Sequence, residues 1–210
     1  MADPTKDSGF GVMGTSRLEA FSDGVFAIAV TLLILEVKVV DDDGSLAEQL
    51  RHAWPSYSAY VVSFIVIGTM WINHHRMFSA LQAIDHTVIV ANLALLLVIS
   101  FIPFPTKLVG EHLTRGTDAD ARTAVLLYGA TSIAVSVVFP VLWWSITRNL
   151  ALTKPSITPE IRRDQMRRNL VGLPTYTVIT LFALVSPVAS LVGFGAVALF
   201  YLFPGRPSRS

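Results

Sequence analysis

The chain has 210 residues, 52% of them hydrophobic and only 15% charged, where a soluble domain usually carries roughly 25% charge. Its formal net charge of +1 gives no reason to expect a nucleic-acid partner. It holds no cysteine, which excludes a disulfide framework, a thiolate metal site and a cysteine nucleophile.

Residues 1–15 are polar and glycine-rich. They lack the basic stretch, short apolar core and small-residue cleavage site of a signal peptide, and read as a disordered lead. Beyond them the apolar residues fall into long runs. A helix crossing the hydrocarbon core needs about 20 mostly apolar residues. Six segments reach or approach that length: 18–37, 57–71, 88–109, 124–146, 170–186 and 187–203. The second extends to His75 if its polar end lies in protein or water. The last two meet at Ser186-Pro187. Proline lacks an N–H and clashes with the preceding turn, so a break is expected there. The expected fold is all-α and polytopic, one six-helix transmembrane domain over residues 16–203, with a polar tail at 204–210. No soluble domain and no convincing internal repeat is visible.

The first segment opens with Arg17-Leu-Glu-Ala-Phe-Ser-Asp-Gly24. An ionisable group inside a membrane costs at least about 2.5–3.5 kcal/mol, and Asp23 sits one to two turns into the helix. Such a carboxylate needs protein or water and a partner. Arg17 is the nearest cation in sequence, but it lies well around the helix, so the pair needs a third group. Further along, Ile28, Thr31, Leu32 and Leu35 fall at i, i+3, i+4 and i+7, on one face. Two readings of that face stand. It packs against other helices, or in a symmetric assembly it rings a central axis, where apolar rings gate by dewetting.

The second segment ends in Trp71-Ile-Asn-His-His-Arg-Met-Phe78. Its last turn is expected at the depth of Arg17 and Asp23. Arg17, Asp23 and His74 or His75 are then expected to form one buried polar cluster. That cluster holds helices together, contacts ions, or senses protons, since histidine titrates near neutral pH. Later, residues 158–169 are basic. They read as a cytoplasmic extension of the fifth helix beside anionic lipid, or as a specific lipid or regulator site.

Lysines and arginines give an orientation. With the N-terminus cytoplasmic, that side holds Lys6, Arg17, Arg76, Arg148, Lys154, Arg162, Arg163, Arg167, Arg168, Arg206 and Arg209. The other side holds Lys38, Arg51, Lys107, Arg115 and Arg122. The split of eleven against five places both termini in the cytoplasm, and Asp41, Asp42 and Asp43 outside.

The pattern Arg17-x-x-x-Phe21-Ser22-Asp23-Gly24, opening the first of six helices, resembles the signature of the transmembrane protein 175 family. Trp71-x-x-His74 fits it too, as does Asn92 followed by Ile102-Pro103-Phe104-Pro105-Thr106. The resemblance implies a potassium-permeable channel. Animal members carry two six-helix repeats and dimerise, whereas prokaryotic members carry one and form tetramers. One repeat implies a homotetramer in the plasma membrane of a prokaryote, in contact with the lipid bilayer and monovalent cations. It needs no cofactor, and no metal beyond permeant K⁺. The family's pore is lined by first helices, with bulky aliphatic rings as the constriction. Those positions map to Ile28, Leu32 and Leu35, with Thr31 adding a hydroxyl ring. Arg17, Asp23 and His74, or the adjacent His75, map to the polar cluster, with Ser22 and Asn92 as further members. The family lacks the carbonyl filter of ordinary potassium channels, and no Thr-Val-Gly-Tyr-Gly segment occurs here.

Two other classes compete. A secondary transporter would show inverted repeats and broken helices near the midplane, but the first helix is apolar there. An intramembrane enzyme would use His74, His75, Asp85, His86 or His112. Yet His74 and His75 point apart on a helix, and neither His-Glu-x-x-His nor Gly-x-Ser-x-Gly occurs. The chain is not expected to be an enzyme.

Overall fold

The computed structural model describes residues 14–37 and 45–202. The polar tail, nearly all of the lead, and Asp41, Asp42 and Asp43 lie outside these. The described residues are helical apart from their connections and one antiparallel bridge between Leu81 and Thr153.

Helix α1, Thr15–Leu35, contains no proline, and is polar in its opening turns and apolar beyond Gly24 apart from Thr31. A short helix, α2 (Leu46–His52), is started by a capping box. Ser45 Oγ accepts from the Glu48 N–H, and the Glu48 carboxylate accepts from the Ser45 N–H at 2.9 Å. These reciprocal bonds satisfy two donors that a helix start leaves unpaired. Helix α3, Trp54–Phe78, begins earlier and ends later than the apolar segment suggested. Pro55 sits in its first turn, where no N–H is needed, and the polar run Asn73 to Arg76 stays helical, with His74 buried and His75 and Arg76 exposed.

The third segment is two helices in one line, α4 (His86–Phe101) and α5 (Pro103–His112). Pro103 removes a donor, and the Ile102 N–H turns to Ile99 O, one residue short of helical register. Thr106 N–H resumes the ladder on Ile102 O at 3.2 Å. Helix α6, Asp118–Thr147, has 30 residues, about 45 Å at 1.5 Å per residue. A 3₁₀ turn at Leu150–Leu152 leads to α7, Pro159–Phe182, and α8, Pro187–Leu202. The expected break at Ser186-Pro187 is present.

Among the described residues, four helical stretches are long and apolar enough to cross a membrane: Thr15–Leu35, Trp54–Phe78, His86–His112 and Asp118–Thr147. Helix α7 is diluted by arginines in its first half, and α8, though apolar, has only 16 residues. Many large apolar side chains face outward, among them Val61, Leu97, Val141, Val185 and Phe200. That pattern suits lipid, and the chain is a multi-pass membrane protein.

The packing centres on α3 and α6. Helix α6 lies against α4, α5 and α7, while α3 lies against α1, α5 and α8. Tyr128 of α6 is buried against Phe194 of α8, ring centroids 5.1 Å apart. Its hydroxyl accepts from Ser63 Oγ at 3.1 Å, and Ser63 also meets Thr106 Oγ1 at 2.8 Å. A buried hydroxyl without such partners would be costly. These bonds join α3, α5 and α6 in the interior.

Candidate pore helix and its polar anchor

Helix α1 has two unlike faces. Ser22, Phe26, Ala29 and Leu33 are buried, at spacings of four, three and four residues. They pack toward α3, α4 and α5. The opposite face carries Gly24, Ile28, Thr31, Leu32 and Leu35, all exposed. Ile28 keeps 60% of its surface and Leu35 69%, while Leu33 between them keeps none. Of the four long apolar stretches, α1 is the least buried. The Thr31 hydroxyl donates to Ile28 O at 2.9 Å, so its oxygen lone pairs remain on the open face. The four residues expected to share a face do share one, and among the described residues no helix covers it.

The buried face is anchored by a directed chain of hydrogen bonds. Ser22 Oγ donates to Leu18 O at 2.8 Å, which leaves that oxygen to accept from Asn92 Nδ2 at 2.9 Å. The amide orientation this fixes turns Asn92 Oδ1 toward His74 Nε2, also at 2.9 Å. His74 therefore donates from Nε2, and its Nδ1 carries the lone pair. Among the described residues, Nδ1 is buried with no partner. A proton on that side of the imidazole ring would be a buried charge without a partner, which is costly. Phe26 and Phe78 sandwich it, with centroids 5.3 and 4.1 Å away. Ser22, His74 and Asn92 expose no surface. One residue from each of α1, α3 and α4 thus meets in a dry site.

The remaining members lie around this core. Asp23 accepts from Trp71 Nε1 at 2.8 Å, at the open end of the cluster. Trp71 stacks on His75, whose Nδ1 lies 3.5 Å from Glu19 Oε1. His75 is more than half exposed. His74 therefore faces the interior and His75 the rim. Arg17 is exposed and, among the described residues, makes no hydrogen bond or ion pair. The structure brings Ser22, His74 and Asn92 into one network and puts Asp23 beside it, while Arg17 stands apart within the single chain. Two participants were not foreseen from sequence. Trp71 is the donor to Asp23, and Glu19 is the partner of His75. A signal for the first existed, because Trp71 and His74 are three residues apart and share a face of α3.

The fold and site define a helical multi-pass membrane protein whose first helix is fixed by buried polar bonds on one side and left uncovered on the other. Residues 17–103, which hold α1, α3 and α4, match the model for "Endosomal/lysosomal potassium channel TMEM175". A potassium channel of Streptomyces collinus is 41% identical over 195 residues, spanning 92% of this chain and 94% of its own length. A potassium channel of Chamaesiphon minutus is 45% identical over 133 residues, 61% of this chain and 64% of its own. The crystal structure of a lysosomal potassium-selective channel TMEM175 homologue from that organism superposes with a TM-score of 0.79 at 34% identity. It covers 90% of this chain and 96% of the other. The chain belongs to the TMEM175 family of ion channels.

Proposed function

We propose that this chain is one subunit of a homotetrameric, potassium-permeable channel, with the uncovered face of α1 lining the pore. Six helices of each subunit cross the plasma membrane of a prokaryote, with both termini cytoplasmic. Helices α7 and α8 complete the crossings once their polar and short portions lie in protein or at the interface. The supporting observation is the uncovered aliphatic face opposite a fully buried anchor. A helix held this firmly from behind presents Ile28, Thr31, Leu32 and Leu35 at fixed depth. Cyclic symmetry about that face closes a ring from one helix per subunit.

Ile28 and Leu35 are separated by about 10 Å along the axis. Rings of these side chains form a barrier that blocks ions by dewetting and opens by widening. An ion in it sheds water without backbone carbonyls to replace the loss. Thr31 oxygens are the polar groups available at that depth, and they favour the ion that dehydrates more easily, K⁺ over Na⁺. Selectivity is accordingly moderate. Arg17, exposed at the start of α1, completes the polar cluster only where another subunit or the lipid interface supplies its partner. K⁺ is the permeant ion, and the mechanism calls for no cofactor.

The test is a planar-bilayer recording of purified protein under a K⁺/Na⁺ gradient. Discrete unitary currents reversing toward the K⁺ potential are expected. Flux only at carrier-like turnover would replace the channel with a secondary transporter. Native mass spectrometry in mild detergent should show four copies, and only monomer or dimer would remove the tetrameric ring.

A further inference from the structure

A cavity of about 560 Å³ lies among α3, α6, α7 and α8, on the other side of α3 from the α1 anchor. Its walls change character along their length. On α3 the lining residues run from Val66 through Met70 and Asn73 to Arg76. On α7 they run the other way, from Gln165 through Asn169 and Gly172 to Tyr176, with Arg168 beside Asn169. Both series step by three or four residues, so each is one helix face. The two helices therefore place their cations at the same end of the cavity and their apolar side chains at the other. Phe139 and Phe200 add apolar walls from α6 and α8, and Phe200 is largely exposed, so the cavity opens sideways.

The cationic end has unmet donors. Among the described residues, neither Arg76 nor Arg168 has a side-chain hydrogen bond or ion pair. Just inside them, Asn73, Gln165 and Asn169 form an amide cluster. Gln165 Nε2 donates to Asn73 Oδ1 and Asn169 Oδ1, both at 3.0 Å. Asn73 Nδ2 donates to Asn169 Oδ1 at 3.4 Å, and the amide nitrogens of Asn73 and Asn169 both face Met77 Sδ, at 3.9 and 4.0 Å. Sulfur is a weak acceptor, so the Asn169 amide gains from a better one. Two cations and amide donors above an apolar, laterally open chamber match an anionic head joined to an acyl chain. A soluble anion would leave the apolar half empty, and a zwitterionic lipid would bring its own cation beside two guanidiniums.

We propose that this cavity is a binding site for an anionic phospholipid of the surrounding membrane. The phosphate lies between Arg76 and Arg168, and one acyl chain lies among Val66, Phe139, Tyr176 and Phe200. Because α3 carries His74 and Trp71 toward α1 and Asn73 and Arg76 toward the cavity, the lipid bears on the helix that anchors α1. The readout is binding itself, so it stands or falls separately from permeation.

The probes are dioleoyl phosphatidylglycerol and dioleoyl phosphatidylcholine, added to the purified protein in mild detergent and followed by native mass spectrometry. Phosphatidylglycerol should be retained over phosphatidylcholine. Arg76→Gln with Arg168→Gln should lower its retention about thirty-fold, as expected for two cations at a headgroup. The pair Arg163→Gln with Arg167→Gln, exposed on α7 and outside the cavity, should leave retention unchanged. If the first double variant does not fold, Arg168→Gln alone, at an exposed position, and Thr69→Phe, which narrows the cavity, should each reduce retention. Equal loss in both arginine pairs would mean a diffuse basic surface and overturn the site. So would equal retention of the two lipids. Displacement by millimolar glycerol phosphate as effective as that by phosphatidylglycerol would show an anion site without an acyl chamber, and would overturn the lipid assignment.

Discussion

His74 Nε2 stands 2.9 Å from Asn92 Oδ1, and neither side chain exposes any surface. This bond and the one from Asn92 to Ser22 fix α1 against α3 and α4. Removing one partner leaves a buried polar group unpaired, which costs about 1–3 kcal/mol. Asn92→Ala and His74→Ala should each lower the thermal midpoint in detergent substantially, His74→Ala more because it also opens a void between Phe26 and Phe78. His75→Ala should do little, since an exposed pair contributes about 0–1 kcal/mol. Equal losses at the two histidines would remove the distinction between interior and rim.

Asp85 performs two tasks at the start of α4. Its Oδ1 accepts from the Val88 N–H at 2.9 Å, and its Oδ2 accepts from Arg148 Nη2 at 2.8 Å. Burial pushes this carboxyl up, but the Val88 and Arg148 bonds outweigh it and hold it below its ordinary 3.8. A depressed carboxyl stabilises the fold above its unfolded value and loses that contribution as pH falls through the folded one. The tie between α4 and the end of α6 is thus complete at neutral pH and released only below about pH 3.8. Asp85→Ala should cost about 1 kcal/mol, mainly as a lost cap. Asp85→Asn keeps an accepting oxygen and should cost less. Thermal midpoints of the two variants at pH 7 give the comparison, and a larger loss in Asp85→Asn would contradict it.

Gly129 permits the close approach of α6 and α7. A β-carbon there would fall on the Thr180 side chain, 2.8 Å from its Cβ. Thr180 is buried and its hydroxyl donates to Tyr176 O at 2.6 Å, so it has little room to move. Gly129→Ala should destabilise by about 1–3 kcal/mol through overpacking, despite alanine's better helix propensity. Adding Thr180→Ala should recover part of the loss. A double-mutant cycle with no coupling would show that the two positions do not meet.

The two faces of α1 were legible because a helix with one face packed writes its period into the sequence, and Ile28, Thr31, Leu32 and Leu35 keep that period. The choice between His74 and His75 was not. Adjacent residues differ by about 100° on a helix, and which one points inward depends on what α3 packs against. Asp23 was paired in sequence terms with a cation, whereas the structure supplies an indole N–H from α3. A neutral donor satisfies an oxygen at the cluster's edge without burying a second charge. The start of α3 was missed because hydropathy alone does not see that Pro55 belongs in a first turn. The cavity is built from four helices, three of them far from α3 in the chain, and no local pattern announces it.

The uncovered face of α1 gives the prediction on which the proposed mechanism depends. If Ile28, Leu32 and Leu35 form apolar rings, a polar side chain at that depth wets the barrier and lowers the penalty on a dehydrating ion. Ile28→Asn and Leu35→Asn should therefore raise K⁺ flux several-fold. Thr31→Val removes the hydroxyl oxygens while nearly keeping the shape, and should reduce the preference for K⁺ over Na⁺ with little change in stability. Residues facing lipid would respond differently, because asparagine there weakens the fold and leaves permeation alone. Liposome flux and bilayer recordings separate these outcomes when read beside thermal midpoints of the same variants. The buried face supplies the internal control. Ala29 and Leu33 have almost no exposed surface, so Leu33→Ala should cost about 2–5 kcal/mol in stability and leave selectivity intact in whatever protein folds. If polar substitutions at Ile28, Leu32 and Leu35 all leave conductance and selectivity unchanged, α1 does not line the pore and the permeation path lies elsewhere in the assembly.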